Sequence, residues 1–132
     1  MTPNQPQVTF YRVKDNQSKL SIICTQAKEA FNKSKKLLII APSFQAAQFI
    51  DTLLWRHPAE SFLPHVISDT MTNEWIAITI QDQANVNQAS VLFNLRSTAT
   101  PLLNGIQHIC EFFDESEEHA RKNALVFIRL KG

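Results

Sequence analysis

The sequence has only two glycines, Gly105 and Gly132, in 132 residues. Nucleotide-binding α/β enzymes use a glycine-rich turn after a strand, which lets backbone N–H groups approach a phosphate. Neither glycine follows a predicted strand, so the sequence contains neither a GxGxxG turn nor a Walker loop. This absence argues against nucleotide chemistry, and we expect no bound cofactor.

Cysteine is equally scarce. Cys24 and Cys110 are far apart and belong to no Cys-x-x-Cys pair. Both fall at apolar positions of segments with helical spacing, which favours two buried thiols over a disulfide or a metal site. We therefore expect no redox chemistry and no metal ion.

The sequence also lacks a charge excess and a long apolar run. A net charge of +1 disfavours direct nucleic-acid binding, because proteins that grip the phosphate backbone concentrate Lys and Arg on one face. No apolar run approaches the roughly 20 residues that span a bilayer, and the first seven residues, MTPNQPQ, do not resemble a secretory signal. We expect a cytoplasmic protein that does not bind membranes.

The composition and the apolar periodicity together predict one compact α/β domain over residues 1–132, with residues 1–7 flexible. The pattern predicts strands at 8–13, 37–41, 75–80 and 90–95, and helices at 20–33, 43–58, 102–113 and 114–127. Ser43 is the predicted N-cap of the second helix, and residues 58–73 are predicted to form a long loop. Strands that alternate with amphipathic helices predict three layers and a largely parallel sheet.

Residues 57–65 contain two histidines, a carboxylate and a hydroxyl, the types that catalytic and metal sites use. His57 and His65 are eight residues apart, a spacing that matches no common ligand pattern. Ser61 lacks the small-residue elbow that exposes a nucleophile after a strand. We therefore interpret these residues as structural or surface groups and predict no catalytic residue.

Several segments resemble a known family. Residues 54–65 read LWRHPAESFLPH, which is similar to the LW-x-x-PAESF-x-PH stretch of the chi subunit of bacterial DNA polymerase III. Residues 9–11 (TFY), 36–41 (KLLIIA) and 92–96 (LFNLR) resemble its strands, and Ala120 with Arg121 resembles its last helix. The order and the spacing agree over most of the chain.

The resemblance implies a Rossmann-like α/β domain without nucleotide chemistry. It also implies a replisome adaptor that binds the psi subunit of the clamp loader and the C-terminal tail of single-stranded DNA-binding protein. Such a protein is expected to be a monomer or a heterodimer with psi. An enzyme with an unrecognised site, or a scaffold from another pathway, is the alternative.

Trp55 and Phe62 are the predicted psi-binding residues. A Trp at the end of a helix and a Phe in a loop between Pro58 and Pro64 can present two large apolar groups on one surface, as interface anchors do. The alternative is that both side chains only close the core. The resemblance favours the interface.

Arg121 and Phe127 are the predicted binding residues for the tail of single-stranded DNA-binding protein. The match of Ala120 and Arg121 to the family supports this assignment. The alternative is that these charges only stabilise the predicted last helix and bind no partner. Acidic residues begin this helix and basic residues follow, which is the order that the helix dipole favours.

Overall fold

The computed structural model describes residues 5–56 and 63–114. These residues form an α/β domain with a six-stranded sheet and two helices. The elements are β1 (Gln7–Val13), α1 (Asn16–Asn32), β2 (Leu37–Ile40), α2 (Phe44–Arg56), β3 (His65–Ile67), β4 (Ile76–Thr79), β5 (Val91–Asn94) and β6 (His108–Asp114).

The strands lie in the order β1-β6-β5-β2-β4-β3, and every pair of neighbours is parallel. The chain first moves from β1 through α1, β2 and α2 to the edge strand β3. It then returns through β4 and β5 to β6. Because crossovers between parallel strands are right-handed, connections in opposite directions lie on opposite faces of the sheet. The predicted α/β class and parallel sheet are confirmed.

One face of the sheet carries both described helices. Their buried side chains pack on strand residues in a single apolar cluster. The helical members are Ile23, Ala27, Ala30, Ala47, Ile50 and Leu54, and the strand members include Leu37, Ile39, Ile76, Ile78, Phe93 and Phe112. This face accounts for the apolar stripes that predict the two helices.

The opposite face is covered by loop residues. Val86, Ala89 and Ile106 pack there on a second apolar cluster from the strands. The strand members are Leu38, Ile40, Ala77, Leu92 and Ile109. Since β2 contributes alternate residues to both clusters, its continuous apolar run reflects burial on both faces, as predicted.

Local side-chain contacts fix the starts of the helices. The Asp15 carboxylate accepts a hydrogen bond from the Ser18 backbone N–H at 2.8 Å and caps α1. The Ser43 hydroxyl accepts one from the Ala46 N–H at 3.1 Å, which confirms the predicted N-cap of α2. Phe44 is the first residue of α2 and is 54% exposed. The buried stripe of this helix begins one turn later, at Ala47.

The predicted helix over residues 102–113 is wrong, because the strand β6 begins at His108. This strand lies between β1 and β5 and pairs with both. Ile109 and Cys110 point to opposite faces of the sheet, one into each apolar cluster. Burial on both faces produces a run of apolar residues whose spacing also fits a helix, so periodicity cannot separate the two.

Two further boundaries differ from the expectation. The predicted loop over residues 58–73 contains the short edge strand β3, which has only three residues. The sequence pattern predicts that the last helix starts at Asp114, but Asp114 is the last residue of β6. The rest of that predicted helix lies outside the described residues, as do residues 1–4.

Candidate functional site

Trp55 lies in the last turn of α2 and is 54% exposed. α2 starts near the carboxyl end of β2 and runs back across the sheet, so its last turn lies at the amino edge of the strands. In parallel α/β sheets, small ligands bind at the opposite edge, outside the carboxyl ends of the strands. The exposed indole therefore lies away from the usual position of an α/β active site.

The Trp55 ring rests against His65, the first residue of β3. The two ring centroids are 4.5 Å apart, and the ring planes are tilted by 52°. The His65 side chain has no exposed surface, although the indole on it is half exposed. The indole thus has a buried aromatic support below it and open surface beside it.

His65 is held by acceptors on both sides of its ring. Nδ1 lies 2.6 Å from the Leu63 carbonyl oxygen, and Nε2 lies 3.1 Å from the Asp51 carbonyl oxygen. Whichever ring nitrogen carries the hydrogen, it donates to one of these carbonyls. The Asp51 carboxylate is also 3.2 Å from Nε2 and pairs with the ring when it is protonated. The interpretation of His65 as a structural residue agrees with these contacts.

The spacing of His65 and Trp55 in the sequence does not predict that their rings are in contact. The contact depends on the pairing of β3 with β4 beside the last two turns of α2. The available signal is on the helix, where Asp51 and Trp55 are four residues apart and share one face. The other predicted site residues, Phe62, Arg121 and Phe127, lie outside the described residues, as do His57 and Ser61.

A cluster of polar side chains, formed by Asn94, Thr100 and Glu111, is buried under the loop that follows β5. The Asn94 side-chain amide contacts Glu111 Oε2 at 3.1 Å, Thr100 Oγ1 at 3.1 Å and the Thr98 carbonyl oxygen at 2.9 Å. Burial raises the pKa of Glu111 to about 7, although the Asn94 hydrogen bond and the nearby charge of Arg96 oppose the rise. This cluster ties the loop to β5 and β6.

The outer end of this cluster is an ion pair. Arg96 Nη1 lies 3.0 Å from Asp82 Oδ2 and joins the loop after β4 to the end of β5.

The segment after β2 is Ala41, Pro42 and Ser43, which offers no glycine turn for a phosphate. The carboxyl edge therefore carries side-chain hydrogen bonds that connect loops.

Neither cysteine has the environment of a reactive thiol. Burial raises the pKa of Cys110 to about 12, and burial also raises the pKa of the half-buried Cys24. Since the thiolate is the nucleophile, both side chains are poor nucleophiles near neutral pH. The prediction of a buried thiol is confirmed for Cys110, which lies on a strand and not on a helix.

Residues 5–56 and 63–114 contain neither a membrane-spanning helix nor a cluster of metal ligands. No helix in these ranges has the length and apolarity to cross a membrane. Within the same ranges, no three His, Cys, Asp or Glu side chains are grouped so that they could hold a metal ion. Within these ranges, Trp55 is one of six large apolar side chains that are exposed, and its ring packs on the buried His65.

A sequence profile of the family described as DNA polymerase III chi subunit, HolC, matches residues 6–126. The chain belongs to the chi family. The chain is also similar to the DNA polymerase III subunit chi of Escherichia coli (strain K12). The two are 24% identical over 115 residues, which cover 84% of this chain and 78% of that protein.

Membership of the chi family confirms the resemblance that residues 54–65 carry. It assigns the chain an accessory role in DNA replication. The matched range includes Trp55 and His65, so the exposed indole and its support lie within the part shared with the family.

Proposed function

We propose that this protein is a non-catalytic replisome adaptor that connects the psi subunit of the clamp loader to the C-terminal tail of single-stranded DNA-binding protein. Trp55 carries the proposal, because it is a large, half-exposed aromatic side chain on a defined support. Membership of the chi family points to the clamp loader as its setting.

The physical case for psi binding at Trp55 rests on exposure and order together. Trp is enriched among the few residues that dominate the energy of protein interfaces. A side chain already supported by a neighbouring ring loses less conformational entropy when a partner covers it. Phe62, seven residues later, is the proposed second anchor, and the prolines at 58 and 64 restrict the backbone between them.

The first prediction is that Trp55→Ala weakens psi binding at least about thirtyfold while the protein remains cooperatively folded. The fold-change corresponds to roughly 2 kcal/mol, the lower bound for an interface hot spot. Removal of a half-exposed side chain leaves no closed core cavity, so the melting temperature is expected to change little. Isothermal titration calorimetry with psi and thermal melts measure the two quantities.

Phe49→Ala is the matched control. Phe49 lies on the same helix and is 55% exposed, against 54% for Trp55. It is six residues before Trp55, so the two side chains project from different faces of α2. If both variants lost psi affinity equally, or if Trp55→Ala lost its cooperative melt, Trp55 would not be a specific anchor.

A further inference from the structure

His65 has a buried ring, a fixed set of hydrogen-bond partners and one aromatic neighbour that reaches the surface. A residue in this position does not touch a partner that binds over Trp55. It can act on binding indirectly, through the orientation of the indole. Its contacts allow that indirect role to be separated from a role in stability.

We infer that His65 is a positioning residue for Trp55, which holds the indole in the orientation that a partner protein recognises. The inference rests on the proposed psi-binding function and deepens it. Two elements meet in this contact, because His65 belongs to the edge strand β3 whereas Trp55 belongs to α2.

The His65 ring cannot turn freely. A change of χ2 would move the ring nitrogen that carries the hydrogen away from its carbonyl acceptor, which lies at 2.6 Å from Nδ1 or 3.1 Å from Nε2. A buried polar group that loses its partner is destabilised by about 1–3 kcal/mol, so the observed ring orientation is strongly preferred. The surface that Trp55 rests on is therefore fixed in direction.

Asp51 connects the His65 ring to α2, the helix that carries the indole. Both its carbonyl oxygen and its carboxylate approach His65 Nε2, at 3.1 and 3.2 Å. Asp51 is one helical turn before Trp55 on the same face of α2. Asp51, His65 and Trp55 thus form one connected unit, and a shift of β3 relative to α2 would move the ring beneath the indole.

The Trp55 and His65 planes are tilted by 52° at a centroid distance of 4.5 Å, within the range of direct aromatic contact. A contact of this kind restricts both side-chain torsions of the Trp. A partner pocket shaped for one indole orientation then binds without selecting among several.

The test starts with the free protein, using ¹⁵N relaxation of the two indole N–H groups. Trp75 is the internal reference, because it is partly buried and packs edge-to-face on Phe31 at 5.9 Å. We expect the Trp55 indole to be as ordered as that of Trp75 although it is half exposed. A Trp55 order parameter typical of a mobile surface side chain would overturn the inference, whatever psi does.

The variants are His65→Gln, which keeps an N–H donor, and His65→Leu, which fills the buried space; both remove the aromatic ring. We expect either folded variant to lower the order of the Trp55 indole and to leave Trp75 unchanged. His108→Gln is the control, since the ring of His108 bonds to Thr9 near the opposite edge strand of the sheet. Unchanged Trp55 order in a folded His65 variant would contradict the inference.

Psi binding supplies the functional readout through a double-mutant cycle. We expect His65→Gln to weaken binding about tenfold in the wild-type background and less than twofold in the Trp55→Ala background. An equal loss in both backgrounds would show that His65 acts on stability or on another contact. If the wild-type protein does not bind psi, the proposed function fails, while the relaxation measurement still decides the positioning role.

Discussion

Glu111 is a carboxyl group in a place where a charge is poorly tolerated. It is only 8% exposed, and burial raises its pKa from 4.5 to about 7. The Asn94 amide supplies a hydrogen bond, which limits the rise and does not cancel it. The folded protein therefore keeps a proton on Glu111 at pH values where the unfolded chain has lost it.

This difference predicts a pH dependence of stability. The pKa of Glu111 is higher in the folded protein than in the unfolded chain. The contribution of protonated Glu111 to the free energy of unfolding is therefore complete below pH 4.5 and is lost as the pH rises through about 7. A pKa difference of one unit corresponds to about 1.4 kcal/mol, so the shift from 4.5 to about 7 lowers the free energy of unfolding by about 3 kcal/mol across this pH range. Urea unfolding between pH 5 and pH 8 measures it.

Glu111→Gln is the control for this effect, because an amide keeps the shape of the neutral acid and does not ionise. We expect the variant to lose less stability than the wild type between pH 5 and pH 8. The histidines also titrate in this range, so the difference between the two proteins is the informative quantity. Parallel curves for both would show that Glu111 ionises normally in the folded state.

Among the described residues, loops pack on one face of the sheet, and side-chain amides hold these loops in place. Asn87 is fully buried and donates from Nδ2 to the carbonyl oxygens of Leu37 at 3.0 Å and Glu74 at 3.1 Å. Asn85 holds the same loop through the carbonyl oxygens of Ala89 and Asn104. These contacts connect the loop after β4 to the amino ends of the strands and to the loop before β6.

We predict that Asn87→Ala lowers the free energy of unfolding by about 1–3 kcal/mol. Truncation leaves the buried Leu37 carbonyl oxygen and the partly buried Glu74 carbonyl oxygen without this donor, and the penalty for a buried group is of that size. Chemical denaturation measures the change, with Gln83→Ala as the control at an exposed position of the same loop. A loss no larger than that of the control would mean that water replaces the amide.

The sequence predicts the helical face better than the loop face. Both helices and the strands at β1, β2, β4 and β5 follow from apolar spacing, because one face or both faces of each are buried in a regular pattern. β6 cannot be predicted from apolar spacing, because its burial between β1 and β5 depends on pairing with residues about 100 positions earlier in the chain. β3 cannot be predicted in this way either, because a strand of three residues is too short to show a period.

The candidate site divides in the same way. Trp55 can be singled out from the sequence, because it belongs to the stretch that resembles the chi family. Its support by His65 cannot, since that contact exists only after β3 pairs with β4 next to α2. Local motifs identify the exposed group, and tertiary pairing determines how it is held.

An adaptor must bind two partners at the same time, so its two sites must be separable by mutation. The proposed psi site is at Trp55 on α2, and the proposed tail site is at Arg121 and Phe127, which lie 66 and 72 residues further along the chain. We therefore expect single substitutions to affect one partner each. This separation distinguishes an adaptor from a protein with one shared binding surface.

The last prediction is that Arg121→Ala weakens binding of the acidic tail peptide about tenfold or more and leaves psi affinity unchanged. An Arg–carboxylate contact is worth roughly 1.5–3 kcal/mol when partly desolvated, because the guanidinium can donate two parallel hydrogen bonds. Fluorescence anisotropy with a labelled tail peptide measures the affinity, and two salt concentrations show the electrostatic share. Lys122→Ala is the control, since it removes one positive charge from the adjacent position and should cause a smaller loss that vanishes at high salt. Equal losses for both variants would reduce the tail interaction to general charge attraction, and a loss of psi binding in Arg121→Ala would mean that the two sites are not separate.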